Sequence, residues 1–352
     1  MNAKDWIGVP EPGDKVLWIR FAGFGDVFEC VADAYNFKKR FPEIHLTFLS
    51  SPECSELIRV QPYIDDAFPG RKKPYSNLWK TLQNIRAGHY KWLINDHRGG
   101  KSSLLSLFSR AKHRIGSCYL NLSSMNRNYY LNLGIYHTSL EIWSQRCGVN
   151  LQDRSAPSFF ASAEDLEAAV NLLERLPERR LFTIIGAGKV RKMWTTEGWI
   201  KFLRPLAETG WGIVLNGHGP MEETIGRQIE DALPPENVLN LVGNLDFKKM
   251  SGVVCRCTLA MGNDTGPLHL AALSGVPTLG IFNHPAGGGT EKYLLGIPWF
   301  RVLCAKDYVK GDTPLKSLPA EPVMKAFNAF AEEFLPRAFE WRNNRGNWVH
   351  NI

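Results

Sequence analysis

The sequence predicts an α/β protein built from two doubly wound units of similar size. Three observations carry this expectation. Short apolar runs of strand length alternate with helix-length amphipathic segments. The alternation lapses once, around 151–163 (LQDRSAPSFFASA), and then restarts. The strongest turn signals follow the ends of apolar runs, as loops at the carboxyl edge of a parallel sheet do.

KVLWIR at 15–20 reads as a buried strand, FAGFGD as the turn after it, and 27–40 as a helix. HLTFLS at 45–50 is a second strand, followed by a helix at 52–61 and a short strand near 64–68. KWLIND at 91–96 is a further strand, and KSSLLSLFSRAKHRIG carries a helix ending before Gly116. Residues 119–150 read as mostly helical and irregular. Beyond the lapse come a helix at 164–176, LFTIIGAG at 181–188, a helix at 196–208 and WGIVLNGHG at 211–219. A helix at 221–232, NVLNLVG at 237–243 and a helix near 246–254 follow. CTLAMGN, the helix DTGPLHLAALSG and the strand PTLGIF come next, and a last helix near 320–335 precedes the tail FEWRNNRGNWVHNI. The expected division is 1–163, 164–320 and a C-terminal helix and tail over 321–352.

A chain of 352 residues is comfortable for two domains, and 44% apolar residues is usual for a globular protein. It holds no run of about 18 apolar residues, and the N-terminus lacks the apolar core of a signal peptide. Those features read as cytoplasmic. The seven cysteines are scattered, as reduced thiols are, and Cys255-Arg-Cys257 has no second pair at zinc spacing, so no metal is expected. A net charge of +7 favours anionic partners. The longest basic run is Arg71-Lys72-Lys73, which argues against a nucleic-acid arm.

Four turns could carry chemistry. In GNDTGPLH, Asp264 precedes a helix whose N-cap is Thr265 or Gly266 and whose first turn holds Pro267 and His269; Gly275 and Pro277 mark its end. A helix start favours phosphate, and Gly266 would let one approach closely. Asp264 could accept hydrogen bonds from sugar hydroxyls, with His269 facing the same ligand, or Asp264 and Thr265 could simply cap the helix. In FAGFGDV, Gly23 and Gly25 allow a tight turn, and Asp26 reads either as an N-cap or as a general base. GAGKVRKMW offers Lys189, Arg191 and Lys192 to a leaving diphosphate, or is a solvated basic loop. In NGHGPMEET, Glu222 or Glu223 could bind ribose hydroxyls, or both could answer the helix dipole.

Together KVLWIRFAGFGDV, KKRFPEIHLTFL, RKMWTTEGW, GHGPMEE, LVGNLDF and above all GNDTGPLHLAALSGVPTLGIF resemble the ADP-heptose:lipopolysaccharide heptosyltransferases. The resemblance runs from about residue 14 to about residue 300, in the family's order. It implies a GT-B architecture: two Rossmann-like domains facing across a cleft, the C-terminal helix crossing back to the first. The implied reaction is inverting sugar transfer without a metal or other cofactor. By match of motif, Asp26 would be the base. Asp264 would hold donor-sugar hydroxyls, with Thr265, Gly266 and Lys192 on the diphosphate. Glu222 would lie near the ribose, and Gly243, Asn244 and Leu245 near the adenine. Pro267 and His269 complete the donor set.

For an anionic lipopolysaccharide-core acceptor the first domain offers Gly25, Arg71, Lys72, Lys73, Arg98, Lys101 and Arg114. The implied setting is the cytoplasmic face of the inner membrane, with peripheral contact. Alternatives are another nucleotide sugar of N-acetylhexosamine type, a nucleotide-sugar epimerase, or a binding protein without catalysis. Two departures from the family stand out. Phe28-Glu29-Cys30-Val31-Ala32-Asp33 replaces an apolar, proline-bearing run, and Asn283-His284-Pro285-Ala286-Gly287-Gly288-Gly289-Thr290 replaces a Gly-Pro-Thr type turn.

Overall fold

The computed structural model describes residues 7–21, 23–70, 76–97, 100–116, 135–284, 294 and 296–349. Arg71, Lys72, Lys73, Arg98 and residues 285–290 lie outside them. The chain forms two compact units, one up to Asp153 and one from Arg154 onward.

The first unit holds strands β1 (Lys15–Ile19), β2 (His45–Ser50), β3 (Asp66–Pro69), β4 (Trp92–Asn95), β5 (His113–Gly116) and β6 (Thr138–Ser139). Its helices are α1 (Phe24–Arg40), α2 (Pro52–Arg59), α3 (Ser76–Ala87), α4 (Gly100–Phe108) and α5 (Leu140–Arg146). All pairings are parallel, in the order β3-β2-β1-β4-β5-β6. The central strands are buried on both faces, which explains their unbroken apolar composition. Leu17, Ile19, Leu49 and Leu93 pack under Leu82 and Ile85 of α3 and Leu105 of α4.

The second unit holds α6 (Ala163–Leu173), α7 (Thr196–Glu208), α8 (Pro220–Asp231), α9 (Phe247–Cys255), α10 (Gly266–Leu273) and α11 (Ala320–Val349). Its strands are β7 (Arg180–Ile184), β8 (Gly212–Asn216), β9 (Val238–Asn240), β10 (Leu259–Asn263), β11 (Thr278–Phe282) and β12 (Phe300–Cys304). They lie in the order β12-β11-β10-β7-β8-β9, again all parallel. Counted within its own unit, each sheet therefore runs 3-2-1-4-5-6. The order reverses between β1 and β4 and between β7 and β10, where doubly wound sheets bind ligands.

Several local expectations change. HRIG, read as the end of a helix, is β5, because Arg110 at φ +68° breaks the chain after Phe108. The sequence reading passed over α3 and the edge strand β12. The last helix runs on through Pro336 to Val349, where a tail was expected. Residues 154–163 pack with the second unit: the Ser158 and Phe159 amides donate to the Leu273 carbonyl at 2.9 and 3.2 Å. The start of α11 is anchored there too, with the Phe327 ring 5.2 Å from Phe202 and 5.6 Å from Trp211. Gly275, at φ +78°, ends α10 as its position suggested.

Candidate active site

In the first unit, α1 begins at Phe24 with Gly23 at the N-cap, and no side chain caps it. Asp26 is thus the third residue of the helix rather than its cap, which removes the capping alternative. Its carboxylate is held from one side. Arg20 Nη2 lies 3.5 Å from Asp26 Oδ1, and Arg20 Nη1 lies 3.7 Å from Asp96 Oδ1 and donates to the Asp96 carbonyl. The side chains of Arg20 and Asp96 are 12% and 7% exposed, that of Asp26 46%. A buried cation, neutralised by a buried carboxylate, therefore orients an exposed one. The backbone stitches the site together: Arg20 N–H donates to Leu49 O at 2.9 Å and Asp96 N–H to Ile19 O at 3.0 Å.

The loop after β4 is braced from beneath. Asn95 Nδ2 donates to Ser106 Oγ (3.0 Å) and Tyr136 Oη (2.6 Å), while Asn95 Oδ1 accepts from His97 N–H (3.0 Å). Phe28, Glu29, Cys30, Val31 and Ala32, the departure after Asp26, are buried. They fill the unit's interior. Cys30 Sγ accepts from Trp18 Nε1 at 2.9 Å, and burial, with the Asp96 carboxylate beside it, pushes its thiol well above the usual range. Gly25 and Lys101 are half-buried at the starts of α1 and α4. Arg114 is spent on the backbone, donating to Ile135 O at 2.7 Å.

In the second unit the turn after β10 leads into α10 with Thr265 at the N-cap, and the Thr265 side chain makes no capping bond. Pro267 has no N–H and the Leu268 amide closes on Thr265 O at 3.0 Å, so among Gly266, Pro267 and Leu268 it is the Gly266 amide that could face a ligand at this helix start. Lys192, on a short 3₁₀ turn over Val190–Lys192, forms an ion pair with Asp264. Asn263 fixes both loops: its Nδ2 donates to Ile185 O (2.8 Å) and its Oδ1 accepts from Trp194 N–H (3.2 Å). Gly262 is required for close packing, since a Cβ there would lie 2.5 Å from the Ile184 carbonyl oxygen.

Two predicted donor residues sit deeper than expected. His269 is buried, because α10 is enclosed along its length from Leu268 to Leu273. The Glu222 carboxylate is buried as well, accepting from Ala187 N–H at 3.0 Å and His218 N–H at 2.6 Å. It thereby ties the loop after β7 to the loop after β8, and its burial raises the carboxyl above the ordinary 4.5. Gly186 makes room for it: a Cβ there would fall 1.6 Å from Glu222 Oε2. Gly243, at φ +78°, with Asn244 and Leu245 forms the turn after β9, where the Gly243 amide donates to Gly217 O at 3.0 Å. Asn283 bridges the Arg191 carbonyl (2.6 Å) and the Leu315 amide (3.1 Å), and His284 is exposed.

The two units share one arrangement. An Asn-Asp pair ends the fourth strand of each, Asn95-Asp96 and Asn263-Asp264, and a cation from the loop after the first strand, Arg20 or Lys192, meets the aspartate. Among the described residues no group of three or more His, Cys, Asp or Glu is placed to hold a metal ion.

Residues 78–293 match the model of glycosyltransferase family 9 (heptosyltransferase). The chain belongs to this family. Similar proteins include the lipopolysaccharide core heptosyltransferase OpsX of Haemophilus influenzae, 21% identical over 75% of this chain and 77% of that protein. Among solved structures, the family 9 transferase of Veillonella parvula aligns at a TM-score of 0.76, with 18% identity, over 92% of this chain and 99% of that one. The E. coli ADP-heptose lps heptosyltransferase II aligns at 0.71, with 19% identity, over 91% and 99%. The fold is thus the GT-B fold of these enzymes, and the chain is a glycosyltransferase. The family 9 match begins after Arg20 and Asp26, so those two residues stand on their own geometry.

Sequence reasoning missed Arg20, Asp96 and Asn263. Each stands at the end of a strand flanking the reversal in strand order. That rule would have found them had the neighbours of β1 and β7 been known.

Proposed function

We propose that this glycosyltransferase moves heptose from ADP-heptose to a hydroxyl of a lipopolysaccharide-core acceptor, with inversion at the anomeric carbon. The acceptor oxygen attacks that carbon, the bond to the diphosphate breaks, ADP departs, and the proton passes to Asp26. Arg20 positions Asp26. Lys192 and the start of α10 stabilise negative charge growing on the diphosphate, fixed in advance of the reaction. In this reading Asp264 serves donor-sugar hydroxyls and Glu222 acts through the loops it ties, while the turn at Gly243–Leu245 serves the adenine. No metal or other cofactor is invoked, and the enzyme works at the cytoplasmic face of the inner membrane as a peripheral protein.

The observation that carries this reading is a cation fixed beside a helix start that no side chain caps: Lys192 on Asp264 at the mouth of α10. The E. coli relative is an ADP-heptose lps heptosyltransferase, which supports the choice of donor. The test offers the purified protein ADP-heptose or a UDP-N-acetylhexosamine with a truncated core acceptor and follows nucleotide release. ADP release from ADP-heptose is expected; turnover with the UDP-sugar alone would sink the assignment. Asp26→Asn should slow transfer by roughly 10²–10⁴-fold and leave ADP affinity within about twofold. Loss of ADP binding in that variant would show that Asp26 is not the base.

A further inference from the structure

Helix α4 is inverted apart from Leu105, its one buried apolar side chain. Its buried face carries Ser102, Ser103 and Ser106, while Leu104, Leu107 and Phe108 are exposed. The serines are satisfied where they lie. Ser106 Oγ accepts from Asn95 Nδ2 at 3.0 Å, Ser103 Oγ accepts from Tyr136 Oη at 3.0 Å, and Ser102 Oγ donates to His97 O at 3.0 Å. That network explains the polar inner face and leaves the apolar outer face without a reason in water.

The neighbouring helix extends the same surface. Trp79 of α3 is 60% exposed, the most exposed large apolar side chain among the described residues; Phe108 is 50% and Leu104 47% exposed. Arg86 joins the two helices: its guanidinium lies 5.9 Å over the Trp79 ring, and its Nε donates to the Phe108 carbonyl at 2.9 Å. Lys80, Arg110 and Lys112 are exposed on the same stretch of chain. From Ala67 to Leu140 the sequence holds one acidic residue, Asp96, against twelve Lys and Arg, an excess larger than the whole chain's +7. Asp96 itself is buried on Arg20.

We propose that the outer face of α3 and α4 docks the enzyme onto the surface of an anionic lipid bilayer, with Trp79, Leu104, Leu107 and Phe108 entering the headgroup boundary and Lys80, Arg86, Arg110 and Lys112 meeting lipid phosphates. Aromatic rings at the interface flanked by Lys and Arg are the chemistry that such a boundary favours. A second copy of this chain is a poorer occupant, because a twofold contact would set one cationic face against itself. Docking here holds the unit that carries Asp26 where a lipid-linked acceptor resides. It rests on the transferase reading only for that purpose.

The test is cosedimentation of the full chain with vesicles of phosphatidylethanolamine and phosphatidylglycerol, set against phosphatidylcholine vesicles, at low and high salt. Wild type should bind the anionic vesicles, with high salt releasing most of it and leaving a remainder held by the apolar side chains. Lys80→Gln/Arg110→Gln/Lys112→Gln should lose roughly fivefold per cation removed, about 100-fold in all. Trp79→Ser/Leu104→Ser/Phe108→Ser should lose the binding that resists salt. These sites are exposed, so each variant should melt with wild type, and Trp79→Ser alone serves as the milder control. Equal binding to both vesicle types, or unchanged binding in both variants, overturns the proposal. So does a dimer that the apolar variant dissolves while vesicles stay unbound. Failure of the transferase reading would appear instead as absent nucleotide release, with vesicle binding unaffected.

Discussion

Replacing Lys192 with Met tests the diphosphate role proposed for it. The side chains of Lys192 and Asp264 are 34% and 12% exposed, so their ion pair lies between the surface and the interior. Surface pairs contribute at most about 1 kcal/mol and breaking a buried one costs about 3–5; about 2 kcal/mol is expected here. For a unit of this size that is a fall in Tm of about 4–8 °C. A charge-assisted hydrogen bond to diphosphate is worth about 1.5–3 kcal/mol, so the Kd for ADP should rise by about 10–150-fold.

The two effects separate in a double variant. Lys192→Met/Asp264→Asn leaves no unpaired carboxylate and should regain most of the lost Tm, while ADP binding, read by titration calorimetry, stays weak. ADP carries no transferred sugar, so an Asp264 contact to that sugar does not confuse the reading. Wild-type ADP affinity in Lys192→Met, or recovery of both Tm and affinity in the double variant, would refute the anion-binding role.

Arg20→Met leaves the buried Asp96 carboxylate without its cation and should cost about 3–5 kcal/mol in urea unfolding. Adding Asp96→Asn should restore much of that stability without restoring transfer, since Asp26 would still lack its guide. Glu222→Gln tests the loop tie through pH. Burial raises the Glu222 carboxyl in the folded state, so just above pH 4.5 the native protein holds a proton that the unfolded chain has released. Stability from this group is therefore present below that window and falls as pH rises through it. Urea unfolding across the window should show wild type losing stability relative to the glutamine variant; parallel curves would remove the claim.

Much of the molecule was legible from local patterns. Fully buried parallel strands are continuous apolar runs, so β1, β2, β7, β8, β10 and β11 were read where they lie. What escaped was short or at an edge: β5, four residues behind Arg110 in a positive-φ turn, and β12, which pairs only with β11. Local pattern ranks such segments poorly because few buried residues mark them.

The candidate site divides the same way. Residues in turns with their own signature, Asp26, Asp264, Gly266 and Lys192, were singled out from the sequence. Arg20 and Asp96 were not, because 76 residues separate them and only strand order makes β1 and β4 neighbours. The inverted face of α4 was hidden for a related reason. KSSLLSLFS has a helical period, but period alone does not say which stripe points inward. Asn95, Tyr136 and the His97 carbonyl decide that by taking the serine hydroxyls, and burying those groups unpaired would cost more than exposing the leucines. The sequence by itself determined the α/β class, the family and the turns at the sheet edge, because those depend on local order along the chain. Only the tertiary structure decided which charges meet and which helix faces look outward, because both depend on contacts between residues far apart in the chain.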